Sequence, residues 1–194
     1  MKIAIQKKGR LNDVSSNFLK TQQINLPSEI KRDLVINSGN NQIFLLRDDD
    51  IPNIVNSNIA DCGIVGNDVL TEYQLTKKKT NIQIVEQFAQ SACRLSIASP
   101  FKNLSLSDLK NKTIATSFPN IVKNWLKSNK IKAKVVVLSG SVELAVNIGY
   151  ADVICDLVSS GQTLKENGLF ENIKIKDVYP VLIKNKNFKE ELCK

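Results

Sequence analysis

The sequence predicts an α/β fold of two lobes, with a mostly parallel sheet in each lobe and a ligand cleft between them. Three observations carry this expectation. Short runs rich in Ile, Val and Leu recur, each closed by Gly, Ser, Asn or Asp and followed by a segment of helical character. A polar stretch from Thr76 to Asn81, containing Lys77, Lys78 and Lys79, separates two groups of these units. A long alternating run from Ile173 to Ile183 follows the second group, and Pro180 interrupts it, as suits a strand leading back to the first lobe. The first lobe is thus expected over residues 1–89 and 179–194, and the second over 90–178.

In the first lobe, Lys2 to Gln6 reads as a strand, Lys7-Lys8-Gly9-Arg10 as its turn and Asp13 to Thr21 as a helix. Gln42 to Leu46 is the next strand. Asp48 to Asp50 then open a helix through Ile51 and Pro52, because acids and Pro suit a first helical turn. Asp61 to Val65 follows, turning at Gly66-Asn67-Asp68. Two extended runs, Ile82 to Phe88 and Cys93 to Ser99, make the crossing. The second lobe repeats strand, turn and helix: Lys112 to Ala115 into Ser117-Phe118-Pro119-Asn120, Lys134 to Leu138 into Ser139-Gly140-Ser141, and Asp152 to Val158 into Ser159-Ser160-Gly161. Ser117 is expected as an N-cap with Pro119 in the first turn.

Composition narrows the chemistry. The 194 residues include no histidine, which removes Ser-His and Cys-His nucleophile pairs and every His-based metal site. Catalysis must run on carboxylates, cations, hydroxyls, amides or a bound hard metal. Cys62, Cys93, Cys155 and Cys193 are scattered without paired spacing, so neither a zinc site nor a disulfide framework is expected. No apolar run reaches membrane-spanning length and no signal peptide is evident, so a reduced, cytoplasmic protein is expected. A formal charge of +8 favours anionic ligands, while the 6% aromatic content and lack of a basic stripe interleaved with aromatics argue against nucleic acid.

Ligands of open α/β sheets bind beyond the carboxyl ends of the strands, where helix starts present N–H groups. The segment Asp156 to Leu164 fits such an anion site: Ser159, Ser160 and Thr163 offer hydroxyls, Gly161 permits close approach, and Ser159 with Gln162 has the form of a capping box. The same residues also read simply as a well-capped helix start. Asp152 and Asp156, spaced to share one face of a strand, suit ribose hydroxyls or a Mg²⁺ complex. Glu143 sits in the first turn after Ser139-Gly140-Ser141, where helix-dipole compensation is the default reading for the residue taken alone. In the first lobe Lys8, Arg10 and Arg47 are cations at strand ends, and Arg47 also reads as a surface partner of Asp48 to Asp50.

With these residues assembled, the chain resembles the ATP phosphoribosyltransferase family over nearly its whole length. The segments that carry the resemblance are Ile3 to Leu11, Arg47-Asp48-Asp49-Asp50-Ile51-Pro52, Asp61-Cys62-Gly63-Ile64-Val65-Gly66, Cys93-Arg94-Leu95, Ile114 to Asn120, Gly140-Ser141-Val142-Glu143, and Asp156 to Leu164 followed by Asn167-Gly168-Leu169. Leu144 to Asn147 and Tyr150 depart from the family pattern at positions that read as helix packing. The resemblance implies a two-lobed fold like that of type 2 periplasmic binding proteins, with ATP and 5-phosphoribosyl-1-pyrophosphate (PRPP) in the cleft. It implies transfer of the phosphoribosyl group to N1 of ATP with release of pyrophosphate, the first step of histidine biosynthesis, with Mg²⁺ carried by substrate rather than by a dedicated metal site. By motif, Ser159, Ser160, Gly161, Gln162 and Thr163 would hold the 5-phosphate of PRPP, and Asp156 the ribose hydroxyls with Glu143 nearby. Asp152 is a further PRPP candidate, while Arg10, Arg47 and Lys8 would meet pyrophosphate or the ATP triphosphate. The short form of the family is implied, with a homodimer of catalytic chains and a histidyl-tRNA-synthetase-like regulatory subunit as partner. A non-catalytic anion- or solute-binding module of the same fold is the alternative.

Overall fold

The computed structural model describes residues 1–27, 33–90 and 92–189. The chain folds into two compact units, Met1–Ser91 with Tyr179–Lys194, and Ala92–Val178.

Unit 1 contains β1 (Lys2–Gln6), α1 (Asn12–Thr21), β2 (Val35–Ser38), β3 (Asn41–Leu46), a 3₁₀ turn (Asp48–Asp50), α2 (Ile51–Asn56), β4 (Cys62–Gly66), α3 (Asn67–Leu75) and β5 (Ile82–Gln87). The chain's last strand, β11 (Pro180–Asn185), completes a sheet ordered β2-β3-β1-β4-β11-β5. The centre of this sheet is covered on both faces, so β1 and β4 are near-continuous apolar runs rather than alternating ones. Ile3, Ile5, Ile43 and Ile64 pack against Phe18 and Leu19 of α1. Strand β2 has no counterpart in the sequence reading, because its residues are alternately exposed and half-buried and give only a faint apolar signal. It is an edge strand hairpinned onto β3.

Unit 2 contains β6 (Cys93–Ser99), β7 (Thr113–Thr116), α4 (Pro119–Ser128), β8 (Lys134–Val137), α5 (Leu144–Asn147), β9 (Val153–Val158), α6 (Gln162–Glu166) and β10 (Phe170–Val178), with sheet order β10-β6-β9-β7-β8. Ala98, Ala115, Ile154 and Val158 form its core with Ala145 and Leu164 from the two short helices. Pro119 opens α4 as expected, but the N-cap is Phe118 rather than Ser117. The Phe118 N–H donates to Thr116 Oγ1 at 3.0 Å, which ties the entry of α4 to the last residue of β7.

The α/β class holds, whereas the sheets are mixed rather than mostly parallel. Among the described residues only β1 with β3 and β4, and β7 with β8 and β9, pair in parallel. The remaining neighbours are antiparallel: β2 hairpins onto β3, while β6 with β9 and β10, and β11 with β4 and β5, pair across long stretches of chain. The run from Ile173 to Ile183 is likewise two strands. Val178 pairs with Cys93 in unit 2, and Pro180 pairs with Gly66 in unit 1. A strand's first residue is where a missing N–H is tolerated, so Pro180 marks the change of sheet.

Cys62 and Cys155 are buried within β4 and β9. Burial pushes the Cys62 thiol up to about 12, with the Asp61 charge adding to the rise, so it stays protonated and inert. Cys193 lies outside the described residues. Among the described residues no helix is long and apolar enough to cross a membrane.

Candidate functional site

Because β7, β8 and β9 run in parallel, their carboxyl ends meet at one edge of unit 2. That edge gathers the start of α4, the Ser139 to Glu143 turn and the Asp156 to Thr163 loop. Glu143, Asp156, Ser159, Ser160, Gly161, Gln162 and Thr163 line a pocket of about 150 Å³ there. These are the second-lobe residues read from the sequence, brought together with one exception.

Asp152 is that exception. It precedes β9, and its carboxylate accepts from Thr113 N at 2.7 Å and Lys112 Nζ at 3.2 Å at the other end of the strand. At ~3.3 Å of rise per residue it lies roughly 13 Å from Asp156. The Thr113 N–H, ahead of the Lys112 contacts, holds its carboxyl below the ordinary carboxylate value. Its work is to close the strand edge, and the shared-face spacing misassigned it to the ligand.

Asp156 is the charged group of the loop. Burial pushes its carboxyl up to about 6, and the Glu143 charge adds to the rise against a hydrogen bond from Leu157 N to Oδ1 at 2.8 Å. A half-buried carboxylate at the mouth of a strand, with little hydration to lose, is suited to accept from sugar hydroxyls.

The loop's backbone differs from the capping box the sequence suggested. Gly161 is the N-cap of α6, in the left-handed region at φ +80°, so the cap residue itself offers no side-chain acceptor. A β-carbon there would meet nothing nearer than Val158 Cγ1 at 3.8 Å, so glycine is required by conformation rather than by crowding. Ser160 Oγ accepts from Gln162 N at 3.3 Å, while the Gln162 amide reaches forward to Glu166 at 2.9 Å instead of back to Ser159. The turn thus leaves Ser159 and Thr163 hydroxyls at the surface beside the first-turn N–H groups of α6, which have no intrahelical acceptor.

Unit 1 has an equivalent edge. The turn carrying Lys8 and Arg10 follows β1, Arg47 follows β3 and Gly66 ends β4, all on parallel strands. Lys7 N donates to Leu46 O at 2.9 Å, which sets the turn beside Arg47. Lys8 and Arg47 are exposed. Arg10 is half-buried, and its Nη2 meets both oxygens of Asp68 at 3.1 and 3.2 Å. Asp68 is fully buried, so the pair fixes the guanidinium at the strand ends. The pair requires Gly66: a β-carbon there would sit 2.0 Å from Asp68 Oδ1 and 2.6 Å from Arg10 Nη2.

Sequence reasoning missed Asp68, Arg94 and Glu171. Asp68 read as a turn residue, although a carboxylate just past a strand-end glycine, with an Arg at a neighbouring strand end, is a usable signal. Arg94 and Glu171 are 77 residues apart and their pairing left no local trace.

A larger groove of about 600 Å³ lies elsewhere in unit 2, lined by Lys123, Lys127, Lys132 and Lys134 where α4 leads into β8. It sits at the amino ends of the parallel strands, opposite the loop, so the chain's lysine excess is not concentrated where the hydroxyl-lined pocket is. Among the described residues no three acidic or thiol side chains converge as a metal site.

The family model for ATP phosphoribosyltransferase (HisG) matches residues 47–193. The chain belongs to the ATP phosphoribosyltransferase family. Its similarity to the ATP phosphoribosyltransferase of Bacteroides fragilis is 42% identity over 195 residues, covering 98% of this chain and 67% of that protein. Among solved structures, a chain of the ATP phosphoribosyl transferase (HisG:HisZ) complex from Thermotoga maritima superposes with a TM-score of 0.79 at 29% identity, covering 96% of this chain and 88% of that one. The periplasmic aliphatic sulphonate binding protein SsuA from Escherichia coli gives a TM-score of 0.62 at 13% identity, covering 97% and 65%, which places the fold with the periplasmic binding proteins.

Proposed function

We propose that this ATP phosphoribosyltransferase homologue is catalytic, joining N1 of the adenine of ATP to C1 of PRPP. The N1–C1 bond forms as the C1–O bond to pyrophosphate breaks, giving N1-(5-phospho-β-D-ribosyl)-ATP and pyrophosphate. The observation that carries the reading is the Asp156 to Thr163 loop, which joins a carboxylate suited to ribose with hydroxyls and N–H groups suited to a phosphate, in a chain of this family.

In this reading the hydroxyls of Ser159, Ser160 and Thr163 and the backbone around Gly161 and Gln162 bind the 5-phosphate. Asp156 accepts from the ribose hydroxyls, and Glu143 keeps a second negative charge near the ring as positive charge develops at C1. Arg10, held by Asp68, and Arg47, with Lys8 beside them, bind the departing pyrophosphate or the ATP triphosphate. No strong base is needed, because a ring nitrogen attacks as it stands and the barrier lies in the leaving group. Two carboxylates at the pocket fit a Mg²⁺ ion that arrives on the substrates, since Mg²⁺ binds through one or two carboxylates with substrate phosphates and waters. When bound, Mg²⁺ would neutralise charge on the leaving pyrophosphate. By analogy with the Thermotoga maritima complex, a HisZ-type regulatory subunit is the proposed partner of a homodimeric catalytic core in the cytoplasm.

The test is pyrophosphate release by the purified chain with ATP, PRPP and Mg²⁺, each omitted in turn, with and without a HisZ-type subunit. Release that requires all three is expected. PRPP binding without release under any condition would point instead to a binding module.

A further inference from the structure

We infer that Arg94 is a positioning residue for the phosphate loop, orienting the Ser159–Ser160 peptide toward the 5-phosphate, with Glu171 and Ser96 holding its guanidinium. This rests on the transferase reading above.

The strand register sets up the arrangement. Arg94, Ser96 and Ala98 alternate onto one face of β6, opposite Val158, Asp156 and Ile154 of β9, so Arg94 and Ser96 share the face that carries the ribose-facing carboxylate. Glu171, opposite Ala98 on β10, lies on that face too. Its carboxylate takes Arg94 Nε on Oε1 and Nη2 on Oε2, a two-pronged contact, and Ser96 Oγ donates to Oε1 at 2.8 Å. Ser96 is fully buried and cannot drift. A guanidinium is planar and rigid, so fixing two of its nitrogens fixes the direction of the third. That third nitrogen, Nη1, donates to Ser159 O at 3.0 Å.

The consequence for the loop follows from peptide geometry. In a planar trans peptide the carbonyl of one residue and the N–H of the next point in opposite directions. Drawing Ser159 O onto Arg94 turns the Ser160 N–H away from the β6 side, and Ser160 is among the residues lining the pocket. The Ser160 hydroxyl, which accepts from Gln162 N, still has its proton to donate. Both Ser160 donors are thereby set for an anion. Glu171 neutralises Arg94, so the pair supplies direction to the loop rather than net positive charge.

Calorimetric titration of the full chain with PRPP, and separately with ATP, tests this in wild type, Arg94→Lys and Glu171→Gln. Lysine keeps the charge but cannot reach Glu171 and Ser159 O together in one rigid plane. Arg94→Lys should weaken PRPP about tenfold, with ATP within twofold and the melting temperature nearly unchanged. Glu171→Gln separates positioning from direct attraction. If Arg94 positions the loop, loosening it weakens PRPP about threefold; if Arg94 is simply a cation for phosphate, removing the neutralising carboxylate tightens PRPP. Tighter binding in Glu171→Gln, unchanged PRPP affinity in Arg94→Lys, or equal losses for both ligands would overturn the inference. Should Arg94→Lys fail to fold, Glu171→Gln decides alone. A folded wild type that binds neither ligand would refute the transferase reading, and this inference with it.

Discussion

Replacing Asp156 with Asn separates what this carboxylate costs the fold from what it gives the ligand. Its carboxyl titrates at about 6 against an ordinary value of 3.8, chiefly because burial disfavours the charge. The gap of about 2 units, at ~1.4 kcal/mol each, makes the ionised group cost the folded chain roughly 3 kcal/mol above pH 7. The sign follows from proton binding. Between the unfolded and folded values the native chain holds more protons than the unfolded one, so stability falls as pH rises through that window and levels off above it. Asparagine has the same shape, retains an acceptor for the Leu157 N–H and carries no charge. The variant should therefore be more stable than the parent by roughly 2–3 kcal/mol at pH 7.5, narrowing to roughly 1.5 kcal/mol at pH 5. It should also lose charge-assisted bonds to the ribose worth about 1.5–3 kcal/mol, raising KM for PRPP by about 10- to 100-fold. Urea unfolding at the two pH values, with steady-state pyrophosphate release at the higher one, measures both effects. A variant that is less stable at pH 7.5, or one with an unaltered KM, would refute the reasoning.

Glu143→Gln removes a charge that raises Asp156, so the Asp156 carboxyl should titrate at lower pH, read by its carboxyl carbon shift in NMR; an unmoved titration would separate the two groups. Gly66→Ala should lower stability by about 3 kcal/mol or more in thermal melts, because its β-carbon displaces the Arg10–Asp68 pair and strands a buried charge; a melting point near the parent's would show that the pair can shift at little cost. Asp152→Asn should leave KM for PRPP within twofold. Because the Asp152 carboxyl is depressed in the folded chain, its contribution is present above the unfolded value and lost as pH falls, so the variant's melting temperature should fall less steeply than the parent's on acidification.

The two-unit plan and the loop were legible because each depends on residues close in sequence. A strand rich in Ile and Val followed by Ser-Ser-Gly announces both a buried strand and a turn with polar edges, and Asp156 stands one turn away from its partners along the same stretch. What was not legible depends on pairing across the fold. Asp152 and Asp156 have the spacing of a common face, yet the strand begins only at Val153, so one closes the sheet edge while the other meets the pocket. Strand β2 hides for a related reason: an edge strand with one wet face has no apolar run to declare it.

The same logic explains how the loop's orientation is held. A left-handed Gly161 gives the loop its turn but not its aim, since short α6 and the surface hydroxyls provide no rigid frame of their own. The frame comes from β6 and β10, through a guanidinium whose partner lies 77 residues along the chain. Local sequence can therefore specify that a hydroxyl-rich loop follows the strand, whereas in the proposed reading its direction is set by a strand pairing that only the folded sheet creates. Arg94 reads as an ordinary strand residue in the sequence because everything that gives it meaning, the Ser159 carbonyl, the Ser96 hydroxyl on its own strand face and the Glu171 carboxylate, is supplied by register.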